Sequence, residues 1–190
     1  MAYLAKDYAK SLEWYKLLKD RASTPERRQI AATGMLRSAA MSGNGEETIL
    51  AATAVLADAK VAPELESEAR HYRSKALVEA NQLTHAVADW EALAKDTRNV
   101  YGAEAKYRLA QYLFDSGKTK EAEQEVLNYL EVSTPHAYWL ARSFVLLSDI
   151  YAKLDRKLEA RQYLLSLKQN YQADDDIAGM IESRLENLSE

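Results

Sequence analysis

The sequence predicts an all-α chain built from antiparallel helix pairs, and three observations carry that expectation. Only six glycines and three prolines occur in 190 residues. The stretches between them are rich in the strong helix formers Ala, Leu, Glu, Lys and Arg, with no β-alternating run of useful length. The prolines are evenly placed: the step from Pro25 to Pro63 recurs, doubled, from Pro63 to Pro135. A helix therefore restarts about every 36–38 residues, the signature of an internal repeat. Each period also breaks near its middle, at Ser42-Gly43-Asn44-Gly45, Asn81-Gln82, Asp115-Ser116-Gly117-Lys118 and Leu154-Asp155-Arg156-Lys157.

Taken in order, residues 3–20 read as one helix carrying Ser11, Tyr15 and Leu18. Four pairs follow, with first helices expected over 25–41, 64–80, 101–115 and 136–153. Their second helices are expected over 46–59, 83–95, 118–131 and 156–170. Pro25, Pro63 and Pro135 each suit the first helical position, where a missing N–H costs nothing. Thr24 and Thr134 precede two of them as N-cap candidates. The third pair opens after the break Asp96-Thr97-Arg98-Asn99. Gly43 and Gly117 accept positive φ cheaply at the turns, and Asn and Asp are the next best residues there. The chain ends in a helix over 174–190 with Asp174 as its cap. There Ile177, Ile181, Leu185 and Leu188 form one apolar stripe and the remaining face is polar, as the end of a stacked array requires.

Superposing the periods puts Ser11, Thr48, Ala86, Ala122 and Ala160 at one position, all small. Four residues on stand Tyr15, Ala52, Trp90, Val126 and Leu164, and three beyond those Leu18, Val55, Leu93, Tyr129 and Leu167. Close approach at one level and volume at the next is what packed helix pairs need.

Composition narrows the function. With 47% hydrophobic and 28% charged residues the chain has the balance of a globular protein, not of a disordered one. Its 25 basic and 29 acidic residues leave a net charge of −4 with no basic block, which disfavours nucleic acid. The absence of cysteine removes disulfides, thiolate metal sites and a cysteine nucleophile. No apolar run approaches the ~20 residues that span a bilayer, and the first residues carry charges too early for a secretory signal.

A pass for chemistry finds none to expect. His71, His85 and His136 lack a second ligand four residues away, so no metal site is expected. Asp174-Asp175-Asp176 lacks the alternation and distal Glu of a calcium loop and reads as acid at a helix start. Gly43-Asn44-Gly45 has no Lys-Ser/Thr continuation for a phosphate loop. No cofactor and no catalytic residue is expected.

The pattern resembles the tetratricopeptide repeat, a 34-residue helix pair. Leu109-Ala110, Leu113, Gly117 and Ala122 match it best, followed by Phe144, Leu147-Ser148, Tyr151, Ala160 and Leu164. The units around Tyr72, Ser74, Leu77, Ala86 and Trp90, and around Met35-Leu36, Ala39 and Thr48, match less well. The periods here are two to four residues longer than the family's, and the proline falls one place late. More narrowly, Thr134 to Phe144 and the ending Asp174-Asp175-Asp176-Ile177 resemble the C-terminal part of large tetratricopeptide proteins of the bacterial envelope. The resemblance implies a right-handed α-α superhelix, a solenoid forming a single domain over residues 1–190. Within it 1–22 is a half-repeat, 25–60, 63–97, 99–132 and 135–171 are repeats, and 174–190 is a cap helix. The expected parent is a longer, envelope-associated or periplasmic protein.

The resemblance also implies a non-catalytic scaffold whose concave groove, lined by the first helices, takes a protein or peptide partner. Carried onto this chain, the groove positions are Arg37, His71, Lys75, Tyr107, Gln111, Phe114, Arg142, Val145 and Asp149. Cations, aromatics and an amide together suit an extended peptide or a partner helix. The family's chaperone-tail clamp needs Lys and Asn where His71, Lys75, Tyr107 and Gln111 stand, so that ligand is not expected. Tyr138, Trp139 and Phe144 read as core between repeats. Two alternatives remain: homo-oligomerisation, as a homodimer through the N-terminal helix, whose Leu4, Tyr8, Leu12, Tyr15 and Leu18 cannot all be buried on one neighbour, or a regulatory domain of a larger protein.

Overall fold

The computed structural model describes residues 2–188. Among them the chain forms ten α-helices: α1 (Tyr8–Arg21), α2 (Pro25–Ser42), α3 (Gly45–Leu56), α4 (Pro63–Glu79), α5 (Leu83–Leu93), α6 (Val100–Asp115), α7 (Thr119–Leu130), α8 (Ala137–Lys153), α9 (Lys157–Asn170) and α10 (Ile177–Asn187). No strand is formed among the described residues. The protein is all-α, and within the runs α1 to α4 and α6 to α10 each helix packs on the next in sequence. Two compact units divide it, the first ending at Ala92 and the second beginning at Leu93. The expected helix over 174–190 extends into Ser189 and Glu190, which lie outside the described residues.

One local device recurs at the ends of α2, α4, α6 and α8. Gly43, Asn81, Gly117 and Asp155 all take φ between 60° and 77°, the left-handed region that glycine enters freely and Asn and Asp tolerate. The next residue donates its N–H five places back, Asn44 to Ala39, Gln82 to Leu77, Lys118 to Leu113 and Arg156 to Tyr151, at 2.8–3.3 Å. This is a Schellman closure, which satisfies carbonyls that a helix end leaves open. The following helix starts within three residues of each.

Helix starts are less uniform. Asp7, Thr24, Asn44 and Asn99 cap α1, α2, α3 and α6 with a side-chain oxygen that accepts a first-turn N–H. Pro25 and Pro63 open their helices. Pro135 does not. Helix α8 begins at Ala137, because Thr134 serves as a tie rather than a cap. Its hydroxyl donates to the Thr97 carbonyl at 2.9 Å and accepts from the His136 N–H at 3.2 Å. At α10 the capping oxygen belongs to Asp175, which accepts from the Ile177 N–H at 3.0 Å, not to Asp174.

In the first unit, α1 packs on α2, α2 on α3 and α3 on α4. Its core gathers Leu36, Ala51, Ala52, Val55 and Ala69, with Met35, Leu65 and Tyr72 around it. Small side chains set the α1–α2 distance: the buried hydroxyls of Ser11 and Ser38 meet at 3.0 Å, and the Tyr15 ring lies on Gly34 where a β-carbon would collide with it. In the second unit, α8 is central, contacting α6, α7, α9 and α10. One cluster joins Tyr107, Ala110, Ala122, Val126, Leu146, Leu147, Ile150, Tyr151 and Ala160. Another joins Ala141, Val145, Leu164, Leu167, Ile177 and Ile181. The five small residues Ser11, Thr48, Ala86, Ala122 and Ala160 are all buried.

Candidate binding surface on the first helices

The face along α6 and α8 in the second unit carries the most organised set of polar groups. Tyr107, Gln111 and Asp115 stand four residues apart on α6, hence one above another. The Tyr107 hydroxyl donates to Gln111 Oε1 at 3.1 Å, and Gln111 Nε2 donates to Asp115 Oδ1 at 2.8 Å. From α8, Arg142 Nη2 donates to the Tyr107 oxygen at 2.9 Å. Arg142 Nη1 reaches the Tyr138 hydroxyl at 3.2 Å and Asp176 Oδ2 at 3.3 Å. Tyr138 in turn donates to Asp176 at 3.4 Å. The bonds thus run outward from one guanidinium to a carboxylate at each end, and each hydroxyl both accepts and donates.

Aromatic faces support this relay. The Arg142 guanidinium lies 5.0 Å from the Tyr107 ring centre and 5.9 Å from that of Tyr138. Tyr107 and Trp139 are 5.7 Å apart and tilted, and Trp139 meets Tyr138 edge-on at 5.0 Å. Arg108 lies 5.8 Å from the Trp139 ring, and Lys153 lies 5.7 Å from that of Phe114. Stacking of this kind draws a cation onto the electron-rich ring face. At Arg142 burial works against the charge, and the hydroxyls of Tyr107 and Tyr138 outweigh it to raise the guanidinium's pKa.

Not every residue expected on this surface is there. Val145 is buried, packed with Ala141, Leu164, Ile177 and Ile181. It shares the stripe of α8 that meets α9 and α10, so it has nothing to offer a partner. Tyr107 is buried as a ring and exposes its role only through its hydroxyl. Phe114 is half-buried against the Tyr107 cluster. Asp149 is held by Arg184 of α10 in a two-point ion pair at 2.7 and 2.8 Å, a brace for the last helix rather than an open acid.

In the first unit Arg37 is likewise committed, gripping Glu68 at 2.7 Å through both contacts and joining α2 to α4. It also borders a cleft of about 470 Å³ with Tyr3, Tyr15, Ile30 and Gly34. The His71 ring lies 5.4 Å from that of Tyr72, and Lys75 is exposed on α4. On α1, Leu12 is buried while Trp14 is 60% and Leu17 46% exposed.

Sequence reasoning missed three participants on the α6/α8 face. Tyr138 and Trp139, expected as core between repeats, do pack against the buried clusters, but their part on this face was not foreseen, nor was that of Asp176, expected only to open a helix. The spacing Tyr138–Arg142 was a readable signal, since residues four apart share a helix face. It also missed Asp89 in the first unit. This carboxylate is fully buried between Arg73, at 2.8 and 2.7 Å, and Arg70, at 3.3 Å. No group of three or more His, Asp or Glu among the described residues is placed to hold a metal ion, and no described helix is long and apolar enough to cross a membrane. Comparison of the chain with protein-family models, with curated proteins and with solved structures gives no match.

Proposed function

We propose that this chain is a non-catalytic interaction scaffold, a right-handed α-solenoid of tetratricopeptide-like helix pairs that binds an extended peptide or partner helix on its first helices. The observation that carries the reading is the relay from Asp115 through Gln111, Tyr107, Arg142 and Tyr138 to Asp176. Its polar atoms are fixed in place by one another and by ring faces, so little ordering is left to be done on binding. The four like-built Schellman closures and the buried small residues support the repeat architecture. The envelope location rests on the sequence resemblance. Selection of a randomised displayed peptide library against the whole chain tests the function. Binders are expected whose affinity falls about tenfold or more with Gln111→Ala or Tyr138→Ala and is unmoved by Leu158→Ser on the far-exposed α9 position. Binders indifferent to the α6/α8 substitutions, or none above a control protein, would overturn it.

A second reading, self-association through α1, is favoured by the exposure of Trp14 and Leu17. Its test is the mass in solution: a dimer that Trp14→Ser converts to monomer supports it, and a monomer at all concentrations removes it.

A further inference from the structure

We propose that Arg142 is the recognition point for a carboxylate side chain, Asp or Glu, of the bound segment, and that Asp176 is its internal competitor in the free protein. This rests on the peptide-binding reading and adds the partner's chemistry. An arginine has five N–H groups, and the planar edge formed by Nε and Nη2 matches a carboxylate in two parallel hydrogen bonds. At seven of the chain's arginines that edge is filled by a carboxylate. Arg37 closes it on Glu68, Arg73 on Asp89, Arg98 on Asp96, Arg156 on Glu159 and Arg184 on Asp149, each through Nε and Nη2 to two carboxylate oxygens. Arg70 and Arg108 close it on single oxygens of Glu66 and Glu104.

Arg142 is built differently. Its Nη1 serves Tyr138 and Asp176, and one Nη2 hydrogen serves Tyr107. Among the described residues Nε has no acceptor and Nη2 donates to Tyr107 alone, so no carboxylate closes this edge. The side chain is 22% exposed and Asp176 is 50% exposed, their single contact being 3.3 Å. That contact is longer than the 2.6–2.7 Å of the Arg37, Arg156 and Arg184 pairs. The charge is thus desolvated by its ring neighbours yet weakly neutralised, the condition in which an arriving carboxylate gains most. Tyr138 and Trp139 flank the point with ring surface for the residues on either side. A segment lying along the relay passes across Arg142, so the carboxylate belongs to an internal side chain.

The test is a titration of the whole chain, labelled with nitrogen-15 arginine, with the Arg142 Nε–H signal identified by its loss in Arg142→Lys. The probe is an N-acetylated, C-amidated peptide alternating Glu with Phe and Leu, and its controls are the Gln counterpart and a Gln peptide with a free C-terminal carboxylate. The Glu peptide is expected to shift the Arg142 signal saturably, the amidated Gln peptide is not, and Asp176→Asn is expected to tighten the Glu peptide about 2- to 5-fold, as loss of a half-exposed ionic competitor implies. Equal binding of the amidated Glu and Gln peptides on α6 and α8 overturns the carboxylate point while leaving the binding reading intact. Binding of only the free-terminus peptide overturns the side-chain assignment. Unchanged or weakened binding in Asp176→Asn overturns the competitor. If no peptide perturbs Arg142 the proposal falls, and the library selection judges the binding reading separately.

Discussion

Gly102 lies against the turn before α6 so closely that a β-carbon there would collide with the Asp96 carbonyl oxygen. The obstacle is backbone rather than a movable side chain. The Leu93 carbonyl crowds the same point. This contact sets how near α6 comes to residues 93–96. Gly102→Ala is therefore expected to destabilise by about 1–3 kcal/mol, the usual cost of overpacking. That is opposite to the gain an Ala normally brings to a helix interior. Urea unfolding decides between them, and an unchanged or raised midpoint would refute the close approach.

Asp89 has no exposure and two arginines upon it, with Glu66 balancing Arg70 at 2.8 Å. Removing the carboxylate would leave two half-buried guanidinium groups facing each other. Asp89→Ala is expected to cost about 3–5 kcal/mol, as breaking one side of a buried pair does. Thermal unfolding measures it, and a loss below about 1 kcal/mol would mean that water already reaches the group.

The Tyr129 ring is buried in the second unit, and among the described residues its buried hydroxyl has the Thr134 side chain near it but makes no well-formed hydrogen bond. A polar group buried that way costs about 1–3 kcal/mol. Tyr129→Phe, which keeps the ring, is expected to leave stability unchanged or raise it by about 1 kcal/mol. A clear drop in the unfolding midpoint would mean that the hydroxyl is satisfied in solution.

Alkaline pH should loosen the second unit. Burial, together with the neighbouring Tyr163, pushes the Tyr151 phenol up to about 12. Burial and the nearby Asp175 do the same for Tyr171. Because the folded values lie above the ordinary value of 10, the unfolded chain loses these protons first. Their contribution is complete below pH 10 and fades as pH rises through about 12, with a slope of up to about 1.4 kcal/mol per pH unit for a buried phenol. Urea midpoints measured from pH 9 upward check this. Tyr151→Phe should flatten the fall, and an equal fall in that variant would place its cause elsewhere.

The helices were legible because their signals are local. Thr24 with Pro25, Gly43, Asn81, Gly117 and Asp155 each act within one turn of chain, and the small residues at Ser11 through Ala160 repeat at the period of the helix pairs. What failed was what depends on distant partners. Thr134 resembles a cap until Thr97 takes its hydroxyl. Leu109, expected as packing, is only half-buried, while Ala110 beside it is core. Of the surface residues, Arg37 and Asp149 looked open because Glu68 and Arg184 stand far along the chain. Val145 looked accessible because the sequence does not reveal which stripe of α8 faces α10. Tyr107, Gln111 and Arg142 were found, but the bonds that join them and the part of Asp176 were not.

The four left-handed closures have a consequence in time as well as in shape. Each reverses the chain between helices adjacent in sequence, so the loop that must close in order to dock a helix pair is short, and its entropy cost is small. Chains dominated by such near-neighbour docking reach the native state in microseconds to milliseconds. Each hairpin carries its own instructions for reversal, and a substitution that spoils one, such as Gly117→Val, should slow the arrival of its own helix pair without delaying the others.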